Sequence, residues 1–202
     1  TIEDRQAIAR VPFDDQKYYT DFGAPESFGE IGYSTPERLW ARPTLELNGI
    51  WGGYQGKGSK TVLPSKAHAK ITCRLVANQE PMKIYELIKS HLEANIPTGV
   101  TIDIEALPGS ANPLLIPNGH NSSEIAGKVL RELYGKEPYQ IRVGGSIPVM
   151  SIFLKELGVH PTMFAFGLED EQVHAPNEFF RLSSFKKGQV AYCMLLEEFG
   201  KV

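Results

Sequence analysis

Between Ala67 and Leu107 the spacing of apolar residues changes from two to about 3.6 and back to two. In "AHAKITCRLV" (67–76), Ala67, Ala69, Ile71, Cys73 and Leu75 alternate with His68, Lys70, Thr72 and Arg74, as in a strand with one buried face. "PMKIYELIKSHLEAN" (81–95) follows, with Pro81 in the position a helix start favours and Ile84, Leu87, Ile88 and Leu92 on one stripe. "VTIDIEAL" (100–107) then alternates again at Val100, Ile102 and Ile104. A strand, an amphipathic helix and a strand in that order require a sheet with one apolar face, so the chain is of α/β (α+β) class. "TLELNGI" (44–50) supplies a further strand, and the glycine-rich "WGGYQGKGSK" that follows it is a loop.

Residues 1–43 are rich in aromatic, glycine, proline and acidic residues and show little periodicity, which reads as a helix fragment and a long connecting segment. The texture changes at "PGSANPLLIP" (108–117), where a domain junction is placed. Three helices are expected beyond it. The first is capped by Ser122 or Ser123 and stopped by Gly135. The second has Pro148 in its first turn and Gly158 at its end, and the third is capped by Ser183 or Ser184. "TMFAFG" (162–167) reads as a short buried strand.

Composition excludes several function classes. The chain has 202 residues, 42% hydrophobic and 22% charged, with a net charge of -3 and no basic run. Such a surface has no nucleic-acid footprint, and no apolar run is long enough to span a bilayer. Cys73 and Cys193 lack a Cys-x-x-Cys spacing and read as small buried hydrophobes, which fits a reducing cytoplasm. A phosphate loop is excluded, because Ser59 stands after Gly58 where the pattern needs lysine.

Three stretches carry chemistry. In "IRVGGSIPV" (141–149), Gly144 and Gly145 permit close backbone approach, and Ser146 and Ile147 lie at a helix start. Unpaired N–H groups there attract anions and Arg142 adds charge; a plain tight turn with a serine cap explains the pattern equally well. Arg74 belongs either to a solvated basic face or to a bidentate clamp for a carboxylate. In "GLEDEQVHAPNEFFRLSSF" (167–185), His174 is a metal ligand or a surface histidine. Its preceding acids Glu169, Asp170 and Glu171 would raise its basicity if near, and Asn177 and Glu178 are spaced to brace the loop by outer hydrogen bonds. His68, His91, His120 and His160 lack such surroundings and read as structural or surface residues.

In order and separation, "SKTVLPSKAHAKITCRLV", "IRVGGSIPV" and "FGLEDEQVHAPNE" resemble the cocatalytic metallopeptidases that include carnosinases, aminoacylases, acetylornithine deacetylase and succinyl-diaminopimelate desuccinylase. The similarity is greatest to the carnosinase-like dipeptidase branch and runs from about Leu45 onward. It implies an α/β catalytic domain with two divalent ions, usually zinc, with manganese or cobalt as alternatives. It also implies an inserted lid that makes a homodimer, and a peptide or N-acyl amino acid substrate. Residues 1–108 then correspond to the second part of the lid/dimerisation domain, and 109–202 to the C-terminal part of the catalytic domain.

By the same resemblance His174 is the last metal ligand, with Asn177 and Glu178 completing its motif. Gly145 and Ser146 match the turn that holds the substrate's carboxylate end or backbone, Arg74 the lid arginine that binds the substrate carboxylate, and Thr61 a lid residue that in some members reaches the partner subunit's active site. Val143 departs from the pattern, since the nearest relatives carry an acid there. The family's His-x-Asp, further acid and Glu-Glu pair do not occur in their places; Glu197-Glu198 lies in the last helix. The expectation is therefore a C-terminal portion, inactive alone. The alternative is a stand-alone dimerisation or carboxylate-binding module without catalysis.

Overall fold

The computed structural model describes residues 1–144 and 147–202. It divides into two compact units, one comprising 1–114 with 141–148, the other 115–140 with 149–202.

The first unit opens with three short helices, α1 (Ile2–Ala9), α2 (Asp15–Asp21) and α3 (Thr35–Ala41), where the sequence suggested one fragment and a long connection. They escaped notice because none is long enough to show a period. Each is set instead by its cap: Thr1 and Ser34 close capping boxes, and the Asp14 side chain accepts from the Lys17 N–H. Arg5 of α1 pairs with the buried Glu37 of α3 and donates to the Gly32 carbonyl at 2.7 Å. The Arg5 guanidinium holds the Glu37 carboxyl below its ordinary range.

The strand β1 (Thr44–Gly52) pairs antiparallel with β2 (Ala67–Arg74). The register explains why the apolar pattern of β1 changes phase. Leu45 faces Cys73 and Leu47 faces Ile71, then the ladder slips past Asn48, and Ile50 faces Ala69. Opposed residues share a face, so one bulge residue returns the even-numbered Ile50 to the side of Leu45 and Leu47. Trp51 stacks on His68 across the ladder, with ring centroids 4.9 Å apart. α4 (Pro81–Asn95) has the bounds its sequence suggests. Leu87 is exposed, however, and Tyr85 is half-buried, donating to the Ile104 carbonyl at 3.0 Å.

That bond tethers 100–107, which forms no ladder. Alternation encodes an extended conformation; a strand also requires a neighbour to take its N–H and C=O groups, and none pairs with this segment among the described residues. The same correction applies to 162–167: Phe164 is buried there, yet the segment joins no sheet. Cys73 is half-buried and Cys193 exposed, so only the first approaches the expected buried thiol. Burial pushes its pKa up.

The second unit is built on α5 (Asn121–Tyr134), α6 (Pro148–Leu157, whose Pro148 belongs to the first unit) and α7 (Leu182–Phe199). Its core joins Ile125, Ala126 and Val129 of α5 to Ala191 and Leu195 of α7, with Phe164 between. Tyr192 donates to the Phe164 carbonyl at 2.6 Å, which fixes the extended segment to α7. Gly135 at φ 64° ends α5 and Gly158 at φ 68° ends α6, the left-handed stops their sequence announces. The caps differ from expectation. His120 caps α5 with Nδ1, accepting from the Ser122 N–H, and Arg181 rather than a serine stands at the cap of α7. No helix among the described residues is long and apolar enough to cross a membrane.

Arg142 and Gly144 lie against α1 and α3. Arg142 donates to Asp4 at 2.8 Å, and this guanidinium draws the Asp4 carboxyl from its ordinary 3.8 to about 2. A depressed carboxylate pKa stabilises the fold above the ordinary value, and that contribution is lost as pH falls from about 4 towards about 2. It amounts to at most about 2 kcal/mol. Urea denaturation at pH 7 and near pH 2 is expected to show a smaller acid loss for Asp4→Asn than for the unmodified chain. An equal loss in both would remove this pair from the account.

Candidate functional site

The loop that carries His174 is built from one buried carboxylate outward. The chain leaves its extended segment at Leu168, makes a single 3-10 turn over Glu169–Glu171, and re-enters regular structure at α7. Glu171 is 1% exposed. Its Oε2 accepts from the Leu168 N–H at 2.9 Å, and its Oε1 from the Arg181 N–H at 3.0 Å and Nη1 at 3.2 Å. Its carbonyl accepts from the Phe179 N–H at 3.2 Å. The Leu168 N–H, foremost among these donors, lowers the Glu171 pKa against the cost of burial.

Arg181 also grips Asp170, Nη1 to Oδ1 at 2.9 Å and Nη2 to Oδ2 at 2.6 Å, and its guanidinium carbon lies 5.0 Å from the Phe179 ring centroid. Asp170 and Glu171 thus serve Arg181 and the loop ends. Between these ends run two successive turns, Ala175 N–H to the Gln172 carbonyl at 2.9 Å and Glu178 N–H to the Ala175 carbonyl at 3.3 Å. Gln172, His174 and Asn177 all take left-handed backbone, at φ 53°, 64° and 66°. His and Asn are among the residue types that tolerate it best.

His174, Asn177 and Glu178 therefore lie in one loop, with all three side chains exposed. The brace the structure shows for that loop is Glu171 with Arg181. Sequence reasoning noted Glu171 only as a possible neighbour of His174 and missed Arg181. The available signal was an acid in "LEDE" with an arginine ten positions on, a pattern too common to single out. Among the described residues the His174 imidazole makes no hydrogen bond, so its ring nitrogens are available as donors to a cation. No three His, Cys, Asp or Glu side chains converge among the described residues, and one histidine is by itself no metal site.

The remaining candidates belong to the first unit. Arg74 closes β2, exposed and opposite Thr44, whose Oγ1 accepts from the Arg74 N–H at 3.3 Å. Thr61 is exposed in the loop between β1 and β2. Gly145 and Ser146 lie outside the described residues. Their neighbour Gly144 is packed so tightly that an added Cβ would stand 1.9 Å from the Leu39 carbonyl oxygen. Arg142, read from sequence as a charge for an anion site, has Asp4 as an ion-pair partner.

The first unit thus carries a two-stranded antiparallel sheet, and the second a His-x-x-Asn-Glu loop stapled at both ends. Residues 5–100 match the peptidase dimerisation domain family. The chain is homologous to the M20 metallopeptidases and, within them, to dipeptidases. It is 32% identical over 185 residues to the Cys-Gly metallodipeptidase dug1 of Schizosaccharomyces pombe, covering 84% of this chain and 37% of that protein. It is 23% identical to the Beta-Ala-His dipeptidase of Rattus norvegicus over the whole of this chain and 42% of that one. The crystal structure of an M20 family metallo-carboxypeptidase from Sulfolobus solfataricus superimposes with a TM-score of 0.83 at 30% identity, over 100% of this chain and 46% of that one. The chain thus spans less than half the length of these relatives. The names of the first and third mark those two proteins as metalloenzymes.

Proposed function

We propose that the complete protein carrying this chain is a metal-dependent hydrolase of dipeptides or N-acyl amino acids. Residues 1–108 serve as the second part of its lid/dimerisation domain and 109–202 as the C-terminal part of its catalytic domain. The observation that carries this reading is His174: an exposed imidazole, unbonded among the described residues, on a loop anchored at both ends, in a chain homologous to metallodipeptidases. One ring nitrogen of His174 holds one of two divalent ions, with zinc the preferred metal. When bound, the pair supplies a water acidic enough to attack an amide carbon near neutral pH.

The chain's other residues bind and orient. Arg74, the last residue of β2, clamps the substrate carboxylate through its guanidinium fork. Gly145 and Ser146 serve the same end of the substrate or its backbone, and Thr61 reaches the site of a second copy paired through the lid. Val143 offers no charge for a substrate amino group, so selectivity at that end is expected to be weak. The general base is not among the candidate residues of this chain. A cytoplasmic setting suits two unpaired cysteines.

In the complete protein, His174→Ala is expected to reduce bound metal by one equivalent and lower dipeptide hydrolysis by more than about 100-fold, since changes one shell further out already cost about 10–100-fold. Metal analysis and turnover of that variant decide the matter. Full metal content with undiminished turnover would overturn the assignment.

A further inference from the structure

We propose that Glu171 is the positioning residue of the His174 loop, holding the imidazole where a metal ion can be met. The inference rests on the reading of His174 as a ligand and adds a residue that this reading does not contain.

Three observations converge on Glu171. The loop from Leu168 to Arg181 begins and ends on its carboxylate, one oxygen for the N–H of each end, at 2.9 and 3.0 Å. Its own carbonyl takes the Phe179 N–H at 3.2 Å, so a single residue fixes the entrance and two points of the exit. Within that closed span, three non-glycine residues sit at positive φ. Left-handed backbone outside glycine persists where the surroundings over-determine it, and inside the exposed loop only two turn hydrogen bonds contribute. The constraint comes from its buried base.

The chemistry also needs a carboxylate. Three N–H donors converge on two oxygens, and an ionised carboxyl accepts at both. Glutamine has the same shape but would turn an NH2 group towards either Leu168 or Arg181, so one end of the loop would be released. Glu171 has no contact with the His174 side chain; it acts through the backbone between them. Asp170 offers the matching control. It also pairs with Arg181, but from an exposed position and without taking either backbone N–H that Glu171 holds.

The test uses the complete protein and zinc alone, with affinity measured by competition against a chromogenic chelator. Glu171→Gln is expected to weaken zinc binding about 10–100-fold, as loss of an outer constraint does. KM at saturating zinc is expected to stay near that of the unmodified protein. Amide exchange of 168–181 should accelerate in this variant while α5 and α7 keep their protection, and Asp170→Asn should bind zinc normally. If Glu171→Gln also loosens α5 and α7, Glu171→Asp replaces it, keeping the charge on a side chain one carbon too short to reach the Leu168 and Arg181 N–H groups together; the same selective loosening and loss of zinc affinity are expected. Zinc affinity unchanged in both variants, with His174→Ala losing zinc, would overturn the role of Glu171 alone. Unchanged zinc affinity in His174→Ala would overturn the ligand reading and this inference with it.

Discussion

Gly144→Ala is expected to destabilise the first unit by about 3 kcal/mol, the upper end of what overpacking costs. The new methyl group would stand 1.9 Å from the Leu39 carbonyl oxygen and 3.2 Å from its carbon. The obstruction is backbone near the end of α3, so no side-chain rotation relieves it. Either α3 or the segment 141–148 must move, and the Asp4–Arg142 pair resists that movement. Gly127→Ala is the control. It lies inside α5 with only Pro138 nearby, at 3.8 Å, and is expected to be neutral or to gain up to about 1 kcal/mol of helix propensity. Urea midpoints of the two variants measure the contrast. A Gly144→Ala chain as stable as the parent would show that the close approach does not exist. The expected loss would assign Gly144 to packing against α3.

Ala191→Leu is expected to cost the second unit about 2–3 kcal/mol. Ala191 is fully buried where α7 meets α5, against a cluster that includes Val129, Phe164 and Leu195. α7 makes that contact through small residues: Gly188 and Ala191 precede Leu195 on one stripe, and a Cβ on Gly188 would meet the Phe166 ring at 3.4 Å. Three more carbons at position 191 leave the helices no arrangement that keeps both the stripe and the Tyr192–Phe164 bond. The expected signature is a lower urea midpoint with the slope of the transition unchanged. An unchanged midpoint would mean that the helices are less closely packed than described.

What was legible in the sequence was local. α4 and α6 begin at their prolines, and α5 and α6 end at left-handed glycines, because these residues fix backbone geometry where they stand. β1 and β2 declared themselves by alternation. Segments 100–107 and 162–167 declared themselves too, yet remain unpaired, since a strand is completed by a neighbour that its own pattern does not name. The serines expected to cap α7 gave way to Arg181 because its main-chain N–H is held by Glu171. That bond spans ten residues and has no periodic signature.

The candidate site divides in the same way. By itself the sequence determined that a histidine, an asparagine and a glutamate would share one loop, and that Arg74 would lie on the polar face of a strand. Only the tertiary structure decided that Glu171 closes the loop, that Arg142 pairs with Asp4 across 138 positions, and that Gly144 lies against Leu39. The physical reason is common to all three. Turns, caps and alternation depend on a residue's own backbone and its near neighbours, whereas a buried carboxylate, an ion pair or a bare glycine takes its meaning from atoms that folding brings beside it.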